Sequence, residues 1–365
     1  MKKKILIVVG TRPNFVKITQ FKKVAEKYSN LDLRIVHTGQ HFDTKMSDVF
    51  LEQFKIKVDY FLNIESASAN SLIGNIILKL EEVITNYKPD LLLCVGDVNS
   101  TLAAAICANK LGVKLGHIES GLRSLDREMP EEINRILTDE ISDICFVTEK
   151  SGIQNLKAIG KKDNQIVFVG NTMIDTLVHF KDKIEESSVL GDIQQIKHDY
   201  ILVTMHRPRN VDTKEALLKI VDLFKNGTKI KKVVFSIHPR TKNNFIKFGL
   251  FEELNQIENL SIIEPQNYFS FQKLIKYAFC VITDSGGIQE ETTFLQIPCI
   301  TLRENTERPS TIDEGTNELM TFETKKVLKA IHKISEGNGK ESTIPKFWDG
   351  YATERIIEKS LEFLA

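Results

Sequence analysis

VITDSGGIQEE, residues 281–291, joins an apolar run to Asp284-Ser285-Gly286-Gly287 and then to Ile288-Gln289-Glu290-Glu291. The apolar part reads as a buried strand and the part from Ile288 onward as a helix. Ser285, Gly286 and Gly287 therefore sit at a helix N-terminus. Unpaired N–H groups and the helix dipole favour an anion there, and glycine lets a phosphate approach the backbone. Glu291, about one turn on, is spaced to hold a diol such as a ribose. The alternative is a tight strand-to-helix turn whose glycines serve φ alone.

Working outward, the same kind of ending recurs. Apolar, β-branched runs lie at 5–10, 33–39, 91–97, 113–119, 144–150 and 166–171, and amphipathic segments separate them. The pattern fades over a charged, helical stretch at about 173–199. It restarts at 200–207, 232–239, 260–265, 280–287 and 298–302. Continuous apolar runs alternating with helical patterns predict parallel strands covered by helices on both faces. Two doubly wound α/β domains follow, 1–172 and 173–349, with a closing amphipathic helix at 350–365 that returns to the first. Ligands of such sheets bind at the carboxyl ends of strands. Gly10-Thr11-Arg12, Gly96-Asp97, His117-Ile118-Glu119, His206-Arg207, His238-Pro239-Arg240 and Asp284-Ser285-Gly286-Gly287 all end apolar runs, which predicts a cleft between the two domains.

The totals exclude several classes. Lys+Arg and Asp+Glu both number 49 in 365 residues, so the charge balance points to neither a nucleic-acid nor a membrane partner. Five cysteines without a CxxC pair predict buried free thiols in a reducing, cytoplasmic setting rather than a disulfide or zinc framework. The apolar run after Met1-Lys2-Lys3-Lys4 is too short for a signal peptide, and no stretch approaches the roughly 18 apolar residues of a membrane span. HExxH, GxGxxG and GxSxG are all missing, so neither a metal, a dinucleotide nor a hydrolase elbow is expected.

GTRPNFVK, residues 10–17, repeats the anion logic in the first domain. Arg12 and Lys17 reach the crevice if a helix begins near Pro13; otherwise they are solvated cations on a cap. Asp97 and Glu119 each close a strand, and a carboxylate there needs a partner or a task. Glu131 and Glu132, after Pro130, open a helix, where carboxylates ordinarily serve the dipole. His206 is suited to balancing charge or moving a proton, or else is a satisfied structural group.

With those residues in view, the chain resembles the non-hydrolysing UDP-N-acetylglucosamine 2-epimerases. The likeness runs in order through GTRPNFVK, HTGQH, VGDVNST, HIESGLRS, PEEINR, GNTMIDT, TMHR, DSGGIQEE, TERP, EGTN and DGYATERI. It implies a glycosyltransferase-B-like pair of Rossmann-like domains and no cofactor or metal. The implied reaction interconverts UDP-N-acetylglucosamine and UDP-N-acetylmannosamine. UDP is eliminated to leave 2-acetamidoglucal, then added back with protonation on the opposite face of C2. Carried over by position, Asp97, Glu119 and Glu131 are the acid–base carboxylates and His206 the active-site histidine. Arg12, Lys17 and Arg308 become phosphate-side cations, Ser285, Gly286 and Gly287 the diphosphate cradle, and Glu291 the ribose acceptor. Gln266 and Phe271 become the uracil contacts. A homodimer is implied too.

The likeness has departures. Many relatives carry a glutamate and an asparagine after TMHR, where this chain has Pro208-Arg209-Asn210. Gln40 and Arg207 match contacts to an activating second substrate molecule, but the arginine expected within LNIESASANS is missing. The alternatives are the same epimerisation on a modified sugar, such as a 2,3-diacetamido uronic acid, or a hydrolysing relative that releases UDP and N-acetylmannosamine. More distant are a glycosyltransferase and a nucleotide-sugar sensor without turnover.

Overall fold

A computed structural model describes residues 2–39, 50–65 and 68–365. The chain divides into two compact units, one of residues 1–178 with 346–365 and one of residues 179–345. Each is a parallel sheet with helices.

In the first unit the strands are β1 (Lys3–Val9), β2 (Leu31–His37), β3 (Tyr60–Phe61), β4 (Leu91–Val95), β5 (Lys114–Ser120), β6 (Ile144–Val147) and β7 (Ile166–Phe168). Their order is β3-β2-β1-β4-β5-β6-β7. The second unit has β8 (Tyr200–Thr204), β9 (Lys232–Ser236), β10 (Leu260–Ile263), β11 (Cys280–Thr283), β12 (Cys299–Leu302) and β13 (Asn317–Met320), ordered β10-β9-β8-β11-β12-β13. Chain order reverses once in each sheet, between β1 and β4 and between β8 and β11. That reversal is the switch point where loops diverge and open a ligand crevice.

Burial explains why these runs are strands. Successive side chains point to opposite faces, so Ile5, Ile7 and Val9 enter one core while Leu6 and Val8 enter the other. In β8, Ile201 and Val203 part from Tyr200 and Leu202 in the same way. A strand buried on both faces has no polar alternation, which is the continuous apolar run of the sequence. Two of the four edge strands, β3 and β13, fall outside the runs expected from sequence. Each is short, and an edge exposes one side of its pairing.

The helices that shape the core, the site and the end of the chain include α1 (Arg12–Ile18), α2 (Ala69–Tyr87), α3 (Asn99–Lys110), α4 (Pro130–Ile141), α5 (Thr172–His179), α6 (Gly286–Leu295) and α7 (Ala352–Phe363). In α2, Ser68 caps the start by accepting from Ser71 N–H at 3.2 Å. Leu72, Ile76, Leu80 and Ile84, spaced by four, form its buried stripe.

The end of the chain packs into the first unit's core through Ile356, Ile357 and Leu364. Asp175 in α5 caps α7: its two carboxylate oxygens accept from Ala352 N–H at 3.0 Å and Thr353 N–H at 2.6 Å. Buried Trp348 donates from Nε1 to Thr148 O at 3.0 Å. Gly170 has φ +88°, and a Cβ there would stand 2.0 Å from Phe347 O. GNTMIDT and DGYATERI thus meet in one joint. Contacts set the division after Val178, where the sequence reading set it after 172, and place 346–349 with the first unit. Asp175, Thr176 and Trp348 are the reason: each bonds within the first unit. Among the described residues no helix is long and apolar enough to cross a membrane.

Candidate active site

At the first unit's switch point one side chain ties the two loops together. Asn14, in the first turn of α1, accepts from the N–H groups of Gly10 and Thr11, both at 3.1 Å, and donates to Val95 O at 3.1 Å. The loop after β1 is thereby pinned to the loop after β4. Gly10 fits because α3 comes close: a Cβ there would lie 2.1 Å from Ser100 Oγ. Arg12 opens α1 with its guanidinium over the Phe50 ring, 4.6 Å from the centroid.

Lys17 and Glu119 form a buried ion pair. Glu119 lies in a break of the β5–β6 register between Ile118 and Ser120, with φ +71°. A bulge re-aims a side chain, and left-handed φ in a non-glycine residue costs about 1–3 kcal/mol. Here the bulge turns a carboxylate toward Lys17 and the Gly96 loop. A Cβ on Gly96 would lie 3.3 Å from both Glu119 Oε2 and Lys17 Nζ.

Asp97 follows Gly96 and is 29% exposed, enough to leave an open side, while its Oδ2 pairs with Arg135 of α4. Arg135 also reaches Glu132 Oε2 at 2.6 Å. Glu132 is buried and accepts from Ser124 N–H at 2.9 Å and Leu125 N–H at 3.1 Å, which makes it structural. Glu131, its neighbour, is half-buried, and among the described residues it has no side-chain hydrogen bond or ion pair. Asp97, Glu119 and Glu131 are thus three acids on adjacent elements with three different surroundings. Lys17, a phosphate-side cation by the resemblance, is paired here with Glu119.

At the second unit's switch point the tie is Asp284, fully buried at the end of β11. It accepts from the backbone N–H of His206 (3.1 Å to each oxygen) and of Arg207 (2.9 Å), and from Asn210 Nδ2 (3.0 Å). His206 Nδ1 stands 3.0 Å from Asp284 Oδ1. Burial alone would raise the Asp284 carboxyl, but His206 and these donors hold it below its ordinary range. Arg207 Nε donates to Asp284 O at 2.9 Å. The loop after β8 is therefore clasped to the loop after β11, and His206, 40% exposed, faces outward from the clasp.

Helix α6 begins beside it. Ser285 N–H donates to Thr283 Oγ1 at 3.0 Å, so the open amides of this helix start are those of Gly286 and Gly287. Gly286 keeps that start uncrowded: a Cβ would lie 2.9 Å from Arg308 Nη1 and from Glu307 Oε1, and those side chains would have to shift. Arg308 is buried and paired with Glu290 (Nε to Oε2, 2.8 Å) and with Glu307, whose other oxygen meets Arg303 Nη2 at 2.9 Å. Glu291 is buried in the same helix. Burial pushes its carboxyl up to about 8, against a favourable contact with Gln272. Gln272 belongs to the helix Tyr268–Lys276, which also carries half-buried Phe271. Gln266 precedes that helix and donates from Nε2 to Glu264 O at 2.8 Å.

Sequence reasoning gave Asp284 only as part of a polar strand ending and did not single out Asn14 or Arg135, each of which has a partner far along the chain. Gln40 lies outside the described residues. Among the described residues no group of three or more His, Cys, Asp or Glu side chains is placed to hold a metal ion.

The fold and the two residue sets define a class: a two-unit, glycosyltransferase-B-like α/β protein with carboxylates in one unit and an anion-type helix start in the other. The family described as UDP-N-acetylglucosamine 2-epimerase matches residues 23–360, and the chain belongs to that family. It is 41% identical over 360 residues to the UDP-N-acetylglucosamine 2-epimerase of Methanocaldococcus jannaschii, covering 97% of this chain and 98% of that one. It is 38% identical over 359 residues to the UDP-2,3-diacetamido-2,3-dideoxy-D-glucuronate 2-epimerase of Pseudomonas aeruginosa, with 97% and 98% covered. The crystal structure of the M. jannaschii enzyme in complex with UDP-GlcNAc and UDP superposes with a TM-score of 0.87 at 39% identity, covering 99% of each chain.

Proposed function

We propose that this protein catalyses the reversible C2 epimerisation of UDP-N-acetylglucosamine to UDP-N-acetylmannosamine. The observation that carries the reading is the division of labour between the two switch points, in a chain that belongs to this family. One has acids with distinct surroundings, and the other has open amides beside an imidazole and a guanidinium.

The C2 proton is not adjacent to a carbonyl, so direct abstraction is slow. Elimination solves this: a carboxylate takes the C2 proton, the C1–O bond breaks, and UDP departs with the electron pair. The 2-acetamidoglucal that remains is protonated at C2 on the opposite face while UDP oxygen re-forms the bond at C1. Two faces of one carbon need proton-transfer groups on two sides, which is the work we assign to Asp97, Glu119 and Glu131. Lys17 holds the Glu119 carboxylate through their buried ion pair. Gly286, Gly287 and the Ser285 hydroxyl, with Arg308 behind them and Arg12 from the first unit, are assigned to the diphosphate. His206 supports the charge that develops on the leaving oxygen. Glu291 takes the ribose hydroxyls, and Gln266 and Phe271 the uracil.

The test is NMR of UDP-N-acetylglucosamine incubated with the protein in D2O. Deuterium at C2, together with a manno product, is expected; protium retained at C2 with no second epimer would overturn the reading. Steady release of UDP and free N-acetylmannosamine would instead mark a hydrolysing enzyme. The 38% identity to the diacetamido-glucuronate epimerase favours one second reading, the same chemistry on that modified sugar. Turnover of that nucleotide sugar in preference to UDP-N-acetylglucosamine decides for it.

The same proposal takes the protein as a homodimer, which light scattering tests. It places the protein in the cytoplasm, in keeping with five buried, free cysteines.

A further inference from the structure

Behind the acids lies a buried charged cluster to which the proposed reaction gives no part. His117, in β5, is fully buried. Its Nδ1 lies 2.7 Å from Asp139 Oδ1 and its Nε2 lies 2.7 Å from Gly96 O. Asp139, in α4, is fully buried too, and its second oxygen accepts from Gly121 N–H at 3.1 Å and Arg123 Nη1 at 2.6 Å. Burial opposes the charge on Asp139, but the imidazole and guanidinium beside it hold its carboxyl below the ordinary range.

Where these bonds end is informative. The Gly96 carbonyl belongs to the peptide that leads directly into Asp97, at a residue with φ +70°. His117 and Gly121 stand two residues before and two residues after Glu119, on either side of the bulge that turns it. Asp139 shares α4 with Arg135, the partner of Asp97, one turn away, and with Glu131 two turns away. Residues spaced by four lie on one helix face. A single carboxylate thus ties the loop of one acid, both sides of another and the helix of the third.

Stability does not call for this arrangement. A buried charged group is desolvated at a cost, and apolar side chains of the same volume are often as stable or more so. What a satisfied polar network adds is one fixed geometry.

We propose that His117 and Asp139 are positioning residues, a buried clamp that sets the separation of the Asp97 and Glu119 carboxylates across the two faces of the reacting carbon. The inference rests on the acid–base reading of Asp97 and Glu119 above. Misplacing a proton-transfer group by about 1 Å can cost about a hundredfold in rate, while UDP, assigned to the other unit, is held as before.

The test compares the wild-type protein with Asp139→Asn, nearly the same shape without the charge, and His117→Gln. For each variant, thermal unfolding and UDP affinity are measured. So are kcat and KM for UDP-N-acetylglucosamine and the UDP and 2-acetamidoglucal that escape per epimerisation. The clamp predicts kcat lower by about 10- to 100-fold, with KM and UDP affinity within about twofold. It also predicts more escaping glycal, because a displaced acid returns the proton late. Should His117→Gln not fold, Asp139→Asn carries the comparison. A folded Asp139→Asn with kcat within twofold of wild type overturns the clamp. A loss in which kcat, KM and UDP affinity all worsen with no added escape does the same, since that is general loosening. A wild-type protein without C2 exchange overturns the reaction itself and the clamp's purpose with it.

Discussion

At the residue scale the candidate site consists of charges given opposite surroundings. Asp97 is partly open and paired with Arg135, Glu119 is closed in with Lys17, and Glu291 is buried beside Gln272 and the Glu290 carboxyl. Asp97→Asn and Glu119→Gln should leave UDP affinity within about twofold of wild type. Turnover should fall by about 10²–10⁴, the usual contribution of a general acid or base, as kinetics with UDP-N-acetylglucosamine will read. Glu291 gives a second prediction. Its carboxyl sits at about 8 without ligand, and two ribose hydroxyls donating to it favour the ionised form. UDP binding near pH 7 should then release a proton, and affinity should rise with pH until about 8. Calorimetry in two buffers of different ionisation heat measures the release. It should vanish in Glu291→Gln, and a release unchanged by that substitution would remove Glu291 from the ribose.

At the level of elements, the joint between α5 and α7 is a pH-sensitive one. Burial pushes the Asp175 carboxyl up to about 6 although two backbone amides favour its charge. An acid raised above its unfolded value of 3.8 contributes most to stability below that value. The contribution is lost as pH rises toward 6, at roughly 1.4 kcal/mol per tenfold in proton affinity. Denaturant unfolding of wild type against Asp175→Asn should show this fall between about pH 4 and pH 6 in the wild type only. Gly10→Ala places a Cβ 2.1 Å from Ser100 Oγ and should destabilise by about 1–3 kcal/mol, the usual cost of overpacking. Adding Ser100→Gly should restore a large part of that loss, and no recovery would mean that the contact is not the cause.

These elements also mark how far sequence reading goes. The doubly wound fold was legible because strands buried on both faces must be continuously apolar, and Ile5 to Val9 have little other use. The polar endings were legible because strand ends are where such sheets meet ligands. Pairings were not legible. Lys17 meets Glu119 across 102 residues, and only the folded chain brings the two together. Ser285 kept its place at a helix start, but the Thr283 hydroxyl claims its N–H, a local bond that no spacing rule predicts. Nothing in the sequence separates Asp139 and Arg135 from ordinary charges on an amphipathic helix. His117 read as the prelude to Glu119.

For the whole molecule, the two units own separate cores and separate switch points. UDP alone should therefore protect mainly residues 179–345. At a hundred times its Kd it should add about 2.7 kcal/mol to the unfolding free energy. Hydrogen exchange should slow over α6 and the helix Tyr268–Lys276 before it slows over β4 and β5. Equal protection of both sheets by UDP without a sugar would contradict the assignment of the nucleotide to the second unit.

The ladder from Arg303 through Glu307 and Arg308 to Glu290 joins two cations to two anions. Opposite charges so close together cancel at a distance, so little field extends from the start of α6 into solvent. A nucleotide approaching that end of the second unit gains little electrostatic steering, and its grip on the phosphates comes from short-range bonds that dissolved ions screen poorly. Raising sodium chloride from about 0.05 M to about 0.5 M should change the Kd for UDP by less than about threefold. A tenfold weakening would mean that the long-range charge of a cation such as Arg12, and not the amides of the helix, dominates the hold on the diphosphate.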